Sequence, residues 1–332
     1  MFRHFFVARF AVVLLLVSAA PVMAAGLDAA AINDAAAPPG KLPGRHQVSA
    51  SIAKLEILLD RAHFSPGEID GKLGENAQKA LAAFAGATGL SFDKAVTPDL
   101  WSKLAAASEG PAVVNYTIVD ADVKGPFLKQ VPAKMESMKD LPALNYTSSR
   151  EALAEKFHMS EALLQALNPG QKFDKAGDSI AVANVLDTGA SAPVARVEVD
   201  KAQQTLRTFD AAGKLIAFYP ATVGSTEKPT PSGTLKVTAI NKDPTYRYNP
   251  KYKFKGVKSK RPFTIKPGPN NPVGSIWINL SAEGYGIHGT PEPGKVSKAV
   301  SHGCVRLTNW DAQRVAAAVA KGTPVTFVES SR

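Results

Sequence analysis

The chain has 332 residues, a formal net charge of +10 and one cysteine. This length allows two or three domains, and a single cysteine excludes an intramolecular disulfide, so disulfides do not stabilise the fold as they do in small secreted domains. The positive charge suits an anionic polymer such as a cell wall, a membrane face or nucleic acid. Most of the cations are spread along the chain and are expected to be solvated surface groups.

Residues 1–24 predict a secretory signal peptide. Arg3 and Arg9 precede an apolar run from Phe10 to Ala20, and small residues follow up to Ala24. The run is too short to span a bilayer, and the alternative is an uncleaved N-terminal anchor. We therefore expect an exported protein with no membrane span after cleavage and, without Arg3 and Arg9, a mature net charge of +8. Export argues against nucleic acid as a partner.

Residues 25–49 are rich in alanine and contain Pro38-Pro39-Gly40, which predicts a flexible linker. From residue 50 to 106, apolar residues recur at helical spacing and predict a bundle of three short helices. The turn between the first two helices runs from Phe64 to Gly74, where glycine, proline and aspartate favour tight turns.

This region resembles the type-one peptidoglycan-binding domain. The resemblance rests on an aromatic residue followed by Pro66-Gly67 and Ile69-Asp70-Gly71. It implies binding to wall glycan, although Ala85 stands where that family usually has glutamine. The alternative is an ordinary three-helix core in which the glycines only make turns.

Residues 107–140 predict a connecting segment that begins with a strand at 113–119. Residues 141–186 then show a helix-turn-helix pattern that ends at Asn168-Pro169, and Gly177-Asp178 precedes a last strand. The pattern is similar to a degenerate LysM-like α/β module. The alternative is a connecting domain that binds no ligand.

Residues 194–329 alternate between apolar and polar positions, which is typical of strands, with a hairpin turn at 210–213. Further strands are predicted at 234–240, 275–280, 286–288 and 325–328. One helix is predicted from Trp310 to Lys321, with Asn309 as its N-cap and Gly322 as its stop. The predicted fold class is therefore multidomain α+β with a mostly-β, sandwich- or barrel-like C-terminal domain. The aromatic and basic insertion from Asn241 to Lys266 is interpreted as a lid or substrate-facing loop, or as plain surface.

The only cysteine, Cys304, lies in a segment whose residue types suit nucleophilic chemistry. A free thiol with a pKa of about 8.5 needs a base to become a useful nucleophile, and His288 lies sixteen residues upstream. Gly303 allows close approach of the backbone, whose N–H groups suit an oxyanion. Arg306 offers a planar fork for a carboxylate. The pattern indicates acyl transfer on an anionic substrate, and the alternative is a small buried hydrophobe.

The two segments His288-Gly289-Thr290-Pro291 and Ser301-His302-Gly303-Cys304-Val305-Arg306-Leu307 together resemble the active-site signature of the L,D-transpeptidases, the YkuD-type catalytic domain. The resemblance covers roughly residues 194–329. It implies Cys304 as nucleophile, His288 as base and the Gly289 carbonyl as the group that orients the ring. His302 and Gly303 are implied in the oxyanion hole. Arg306, where some members have asparagine, is implied in substrate binding, for which Ser301 and Tyr285 are further candidates.

The resemblance implies an exported, periplasmic and wall-associated enzyme. Such an enzyme forms a thioester with a peptidoglycan stem peptide, releases D-alanine and passes the acyl group to an amine. The acceptor is a second stem, a wall-anchored lipoprotein or a free D-amino acid. Glycan strands and stem peptides are the expected partners, and no cofactor is expected. Cys304, His288 and His302 form a set of potential metal ligands, but the resemblance argues against a metal. A hydrolase on the same fold and a non-catalytic wall-binding protein stay open as alternatives.

Overall fold

The computed structural model describes residues 27–38, 44, 46–107, 109–185, 192–224, 230–252, 256–298 and 303–329, so the predicted signal peptide lies outside the described residues. The α-helices are α1 (Ala29–Asn33), α2 (Ala50–Arg61), α3 (Glu75–Ala87), α4 (Pro98–Ala106), α5 (Asp120–Val123), α6 (Met135–Met138), α7 (Ser149–Lys156), α8 (Glu161–Leu167) and α9 (Asn309–Ala318). Within these ranges, no helix is both long and apolar enough to cross a membrane.

The strands fall into one large sheet and two small ones. They are β1 (Val113–Thr117), β2 (Ser179–Ala183), β3 (Arg196–Asp200), β4 (Thr205–Phe209), β5 (Leu215–Pro220), β6 (Thr222–Val223), β7 (Gly233–Lys242), β8 (Tyr246–Tyr248), β9 (Phe263–Ile265), β10 (Ile276–Leu280), β11 (Gly286–His288), β12 (Val305–Arg306) and β13 (Pro324–Val328). The large sheet has the order β5-β4-β3-β13-β7-β10-β11-β12-β6. Its pairs are antiparallel except β3 with β13 and β11 with β12.

The long strand β7 connects the two halves of this sheet, because its first residues pair with β13 and its last residues with β10. Side chains from both halves, such as Val199 and Ile278, belong to one buried core, and Val315 of α9 packs into the same core. The C-terminal domain (residues 194–329) is therefore mostly β with two sheet halves around a shared interior. This confirms the mostly-β prediction for that domain.

The start of α9 differs from the prediction. Thr308, not Asn309, is the N-cap, and its hydroxyl accepts a hydrogen bond from the Asp311 N–H at 3.1 Å. Both residue types favour this position, so the local sequence did not distinguish them. The helix also ends at Ala318, before the predicted end at Lys321. The Asn309 side chain is left to make contacts outside the helix.

A middle module (described residues 109–185) is built around the antiparallel pair β1 and β2, with Val113 opposite Ala183. Its helices α7 and α8 pack on this pair through side chains such as Leu153 and Leu164. The strand predicted inside the connecting segment is thus half of the middle module's own sheet. The predicted boundary at residue 141 is wrong, because the partner strand lies more than sixty residues away in the chain.

The predicted linker over residues 25–49 also contains packed structure. Ile32 of α1 is fully buried in the core of the middle module. Asn33 exchanges two hydrogen bonds with the backbone of Val113, at 2.9 and 2.8 Å. The prediction of a flexible linker is therefore wrong for residues 29–33, where one isoleucine in an alanine-rich stretch finds a distant apolar partner.

Helix α2 is buried on nearly every side. Leu55 and Leu59 pack with α3 and α4 in the N-terminal module (residues 50–106), while Ala53 and Ile57 pack into the core of the middle module. A helix that buries more than one face is a central element rather than an amphipathic surface helix. The following turn extends this role to the C-terminal domain: the Ser65 N–H donates to the Phe218 carbonyl of β5 at 2.8 Å.

A buried cluster of charged groups joins all three parts. The carboxylate of Asp60 on α2 accepts a hydrogen bond from Arg314 of α9 at 2.8 Å and lies 3.1 Å from His158 Nδ1 of the middle module. His158 stacks on Trp310, with ring centroids 5.1 Å apart. Burial alone raises the pKa of Asp60, but Arg314 and His158 outweigh this effect and hold the pKa well below its usual range. Asp60 is therefore ionised, and it is fully buried.

We predict that Asp60→Asn lowers the free energy of unfolding at pH 7 by about 3 kcal/mol, because it removes the ionised carboxylate that accepts a hydrogen bond from the buried Arg314 guanidinium. Urea denaturation of the variant and the wild type measures the loss. Since the folded-state pKa of Asp60 is depressed, its stabilisation is present above the unfolded pKa of about 3.9 and is lost as the pH falls. The difference between the two proteins should therefore shrink below about pH 4.

Arg150→Ala is the matched control, because the Arg150–Glu161 pair at 2.7 Å is exposed on both sides. Its loss should cost less than about 1 kcal/mol. An Asp60→Asn variant as stable as this control would contradict the role assigned to the buried carboxylate.

Candidate active site

Parallel pairing of β11 and β12 brings the two segments of the signature together. Ile287 lies opposite Val305 and His288 opposite Arg306, and the Leu307 N–H donates to the His288 carbonyl at 2.8 Å. Cys304 comes directly before β12 and is half-buried. Its thiol donates to the Gly284 carbonyl, with 3.7 Å between sulfur and oxygen. The predicted nucleophile therefore directly precedes β12, which pairs with the strand that carries the predicted base.

The imidazole of His288 is held in a defined orientation. Its Nδ1 lies 2.6 Å from the carbonyl oxygen of Gly289, so Nδ1 carries the proton and Nε2 is the acceptor. Trp277 of β10 is opposite His288 in the sheet and stacks on the ring, at 5.4 Å between centroids and 17° between planes. These contacts fix the tautomer as well as the plane of the ring.

The environment of His288 favours the neutral imidazole. Burial lowers its pKa most, the charge of Arg306 lowers it further and the Gly289 carbonyl partly opposes them, which brings the pKa to about 3. The ring is therefore uncharged at pH 7. The neutral ring can accept a proton. The resulting imidazolium would be stabilised by a negative charge nearby, because burial and Arg306 both disfavour it.

Arg306 extends from β12 toward the same region. Burial lowers the pKa of its guanidinium, while the nearby Glu292, Cys304 and Tyr246 raise it. Its Nε is buried and has no hydrogen-bond partner in the part of the chain that the structure describes. A buried donor without a partner is costly, so this guanidinium is suited to an incoming anion.

The remaining predicted site residues have different outcomes. Gly303 is buried with a φ of 98°, a left-handed backbone that favours glycine. Tyr285 is half-buried, follows Gly284 and comes directly before β11. Ser301 and His302 lie outside the described residues. The structure thus brings Gly303 and Tyr285 next to the elements that carry Cys304 and His288.

Comparison with known proteins gives a family. Residues 195–327 match the family model YkuD, the L,D-transpeptidase catalytic domain. The chain is 33% identical over 181 residues to a Bacillus licheniformis protein named as L,D-transpeptidase YkuD. The alignment covers 53% of this chain and 92% of that protein. The Bacillus subtilis protein of the same name is 31% identical over 177 residues, covering 53% of this chain and 91% of that protein.

The chain belongs to the YkuD family of L,D-transpeptidases. Among solved structures, L,D-transpeptidase 3 from Mycobacterium tuberculosis aligns with a TM-score of 0.34 at 18% identity, covering 46% of this chain and 76% of that one. The avibactam carbamoyl enzyme Ldtfm aligns with a TM-score of 0.32 at 23% identity, covering 54% and 64%.

Asn309, which the sequence predicts only as a helix cap, contacts the segment that orients His288. It is fully buried, and its Oδ1 accepts from the Ser275 N–H at 3.1 Å. Its Nδ2 donates to Glu155 of the middle module at 2.9 Å and to the Pro269 carbonyl at 3.2 Å. A Cβ added at Gly289 would overlap its Oδ1. The Asn309 amide therefore packs against the residue whose carbonyl orients His288.

Trp277 is a second residue near the site that the sequence did not predict. It lies in a strand with ordinary alternation, and the neighbouring residues give no sign that it stacks on His288. Within the described residues, no group of three or more His, Cys, Asp or Glu side chains is arranged to hold a metal ion.

We predict that Gly289→Ala lowers kcat/KM for L,D-transpeptidation by about a hundredfold, because the new methyl group displaces the Asn309 amide or the carbonyl that orients His288. Steady-state kinetics measure the loss. Gly86→Ala is the matched control: Gly86 is an exposed position in α3 with nothing within 4 Å of an added Cβ. That control should keep full activity and gain about 0.5–1 kcal/mol of stability. Equal activity of the two variants would refute the steric argument.

We also predict that Arg306→Gln raises the pKa of His288 from about 3 toward the ordinary value of 6.5, because a nearby positive charge is removed. A pH titration of the imidazole signals by NMR measures the change. Arg196→Gln, on β3 in the other half of the sheet, is the control and should leave the pKa of His288 unchanged. A His288 pKa that is the same in all three proteins would show that Arg306 has no such influence.

Proposed function

We propose that this enzyme is exported to the periplasm and transfers acyl groups of peptidoglycan stem peptides through a thioester on Cys304. The observation that supports the proposal is the parallel pairing of β11 with β12, because β12 directly follows the half-buried Cys304 and β11 ends at the oriented, neutral imidazole of His288. A cysteine and a neutral histidine on neighbouring segments supply the nucleophile and the base that acyl transfer needs.

In the first step, His288 Nε2 takes the proton of the Cys304 thiol, and the thiolate attacks the carbonyl of the diamino acid that precedes D-alanine. Backbone N–H groups around Gly303 and Cys304 stabilise the oxyanion. The C–S bond forms, the C–N bond breaks, and His288 gives its proton to the leaving amine of D-alanine. The products are a thioester and free D-alanine.

In the second step, an amine attacks the thioester. His288 takes a proton from the amine and returns one to the sulfur of Cys304. An amine from a neighbouring stem gives a cross-link between diamino acids, and an amine from a wall-anchored lipoprotein or a D-amino acid gives attachment or exchange. Water in place of the amine makes the same site a carboxypeptidase, which is the alternative function.

Arg306 is proposed to bind a substrate carboxylate. Its buried and unpartnered Nε supports this role, since a carboxylate accepts well from a guanidinium fork. A bound carboxylate also offsets the positive charge that depresses the pKa of His288. Substrate binding therefore makes the base stronger at the moment when it is needed. On the signature alone, we propose that His302 contributes to the oxyanion hole and that Ser301 binds substrate.

Wall glycan is proposed as a partner of the middle module. A cleft of about 390 Å³ there is lined by Phe127, Tyr146 and Lys156, with Pro269 of the C-terminal domain on one side. Aromatic faces combined with charged and polar groups suit a sugar ring. The turn Phe64–Gly74 is a weaker candidate, because Ser65, Gly67 and Ile69 are buried against the rest of the protein.

We predict that Cys304→Ala forms no acyl-enzyme and releases no D-alanine, and that His288→Ala lowers both severely. Mass spectrometry of protein and products after incubation with muropeptide tetrapeptides measures them. Arg150→Ala, an exposed substitution far from the signature in sequence, is the control. D-Alanine release with dimer formation in the wild type supports transpeptidation, and release without a dimer supports the carboxypeptidase. Full activity of the Cys304→Ala variant would remove the thioester from the mechanism.

A further inference from the structure

The positive charge of the mature chain is concentrated in one short stretch. Residues 241–266 contain nine lysines and arginines and one aspartate, a net charge of +8. The whole chain carries +10, of which Arg3 and Arg9 of the predicted signal peptide supply two. The other residues of the mature chain are therefore neutral overall. Most cations are spread along the chain as expected, but the excess of cations over anions in the mature chain lies in residues 241–266.

This stretch forms an arm, which we call the basic arm (described residues 241–252 and 256–266). Strands β8 and β9 pair as a hairpin, with Tyr248 opposite Phe263. Tyr248 is 2% exposed and stacks on Phe263 at 4.7 Å between ring centroids, and Ile265 is fully buried. The apolar side chains thus stabilise the arm from within and leave its charged side chains to solvent.

The described cations of the arm are all exposed, and none of them forms an ion pair within the described parts of the chain. They are Lys242, Arg247, Lys251, Lys258, Lys260, Arg261 and Lys266. One carboxylate does reach the arm: Glu136 of α6 accepts from the backbone N–H groups of Lys258 and Ser259, at 2.6 and 3.2 Å. It anchors the backbone of the arm and leaves most of the charge uncompensated.

The arm begins beside the active site. Asn241, its first residue, lies opposite Trp277 of β10, and Trp277 lies opposite His288 of β11 and stacks on it. Tyr246, near the base of the arm, is close enough to Arg306 to influence its pKa. A polymer bound along the arm is thus held within two strands of the catalytic histidine.

We propose that the basic arm is an electrostatic docking surface for the carboxylate-rich stem peptides of peptidoglycan. The proposal rests on the proposed function for the identity of the substrate. Five of the seven described cations are lysines, whose hydrated point charges suit many weak contacts with a flexible polyanion rather than one fixed contact. A membrane surface fits less well, because interfacial segments present exposed aromatic and aliphatic groups, whereas Tyr248 and Ile265 face inward. Docking raises the local concentration of stems near Cys304.

The test compares two variants of the full mature enzyme with four substitutions each. The arm variant carries Lys251→Gln, Lys258→Gln, Lys260→Gln and Arg261→Gln. The matched control carries Lys172→Gln, Lys175→Gln, Lys214→Gln and Lys321→Gln, which remove the same charge from exposed positions outside the arm. Co-sedimentation with purified sacculi measures the apparent Kd at low and high NaCl. Urea denaturation confirms that both variants are folded.

We expect the arm variant to bind sacculi about tenfold more weakly than wild type at about 50 mM NaCl, and the difference to disappear at about 500 mM because salt screens exposed charges. The control should bind like wild type. Glycan strands stripped of stem peptides by an amidase should bind wild type as weakly as intact sacculi bind the arm variant. Turnover of a short tetrapeptide should stay within about twofold of wild type in both variants.

Equal losses in the two variants would overturn the proposal in favour of a general charge effect, and so would an arm variant that binds like wild type. Undiminished binding to stem-free glycan would exclude stem carboxylates as the ligand. An arm-dependent loss seen with anionic phospholipid vesicles and not with sacculi would assign the arm to a membrane instead. Arm-dependent binding to sacculi by an enzyme inactive on tetrapeptides would support docking while contradicting the proposed reaction, so the two failures are distinguishable.

Discussion

The ionised carboxylate of Asp60 is fully buried at the point where α2, the middle module and α9 meet, and its partners Arg314 and His158 come from the other two parts. A charge in such a place is tolerated only when its partners stay in position. Nearby, burial raises the pKa of Asp311 to about 7 despite the opposing charge of Arg314, and the Ser65 hydroxyl donates to it at 2.8 Å. The electrostatics of this junction therefore depend on all three parts being docked together.

Docking at this junction has consequences for the active site. The middle module also reaches the signature through Glu155, which binds the Asn309 amide, which in turn packs against Gly289. Burial raises the pKa of Glu155 to about 7, although hydrogen bonds from Asn309 and Tyr146 oppose this effect. The environment of the His288 ring is thus set partly by residues more than a hundred positions away. The arrangement resembles one compact body more than a series of independent domains on tethers.

The candidate site could be predicted from local sequence where its residues are neighbours in the chain. Cys304, Gly303 and Arg306 stand within four positions, and the strand that carries His288 is observed at the predicted residues, 286–288. Trp277 and Asn309 could not be found in this way, because their roles depend on pairing between β10 and β11 and on contacts across modules. The apolar spacing predicts α2 only as one helix of a three-helix bundle. Its second face, with Ala53 and Ile57, is interspersed with Glu56 and Asp60, which ordinarily indicate solvent.

The contact between the turn after α2 and strand β5 also protects the edge of the large sheet from pairing with strands of other molecules. Strand β5 is the last strand on its side of the sheet, and an open edge offers unpaired backbone groups to any other strand. Here Phe218 of β5 exchanges backbone hydrogen bonds with the segment at residues 63–65, and its ring packs among the helices of the N-terminal module. The N-terminal module therefore serves as a cover that blocks edge-to-edge aggregation. A catalytic domain released by proteolysis would expose both the ring of Phe218 and the unpaired backbone groups of β5.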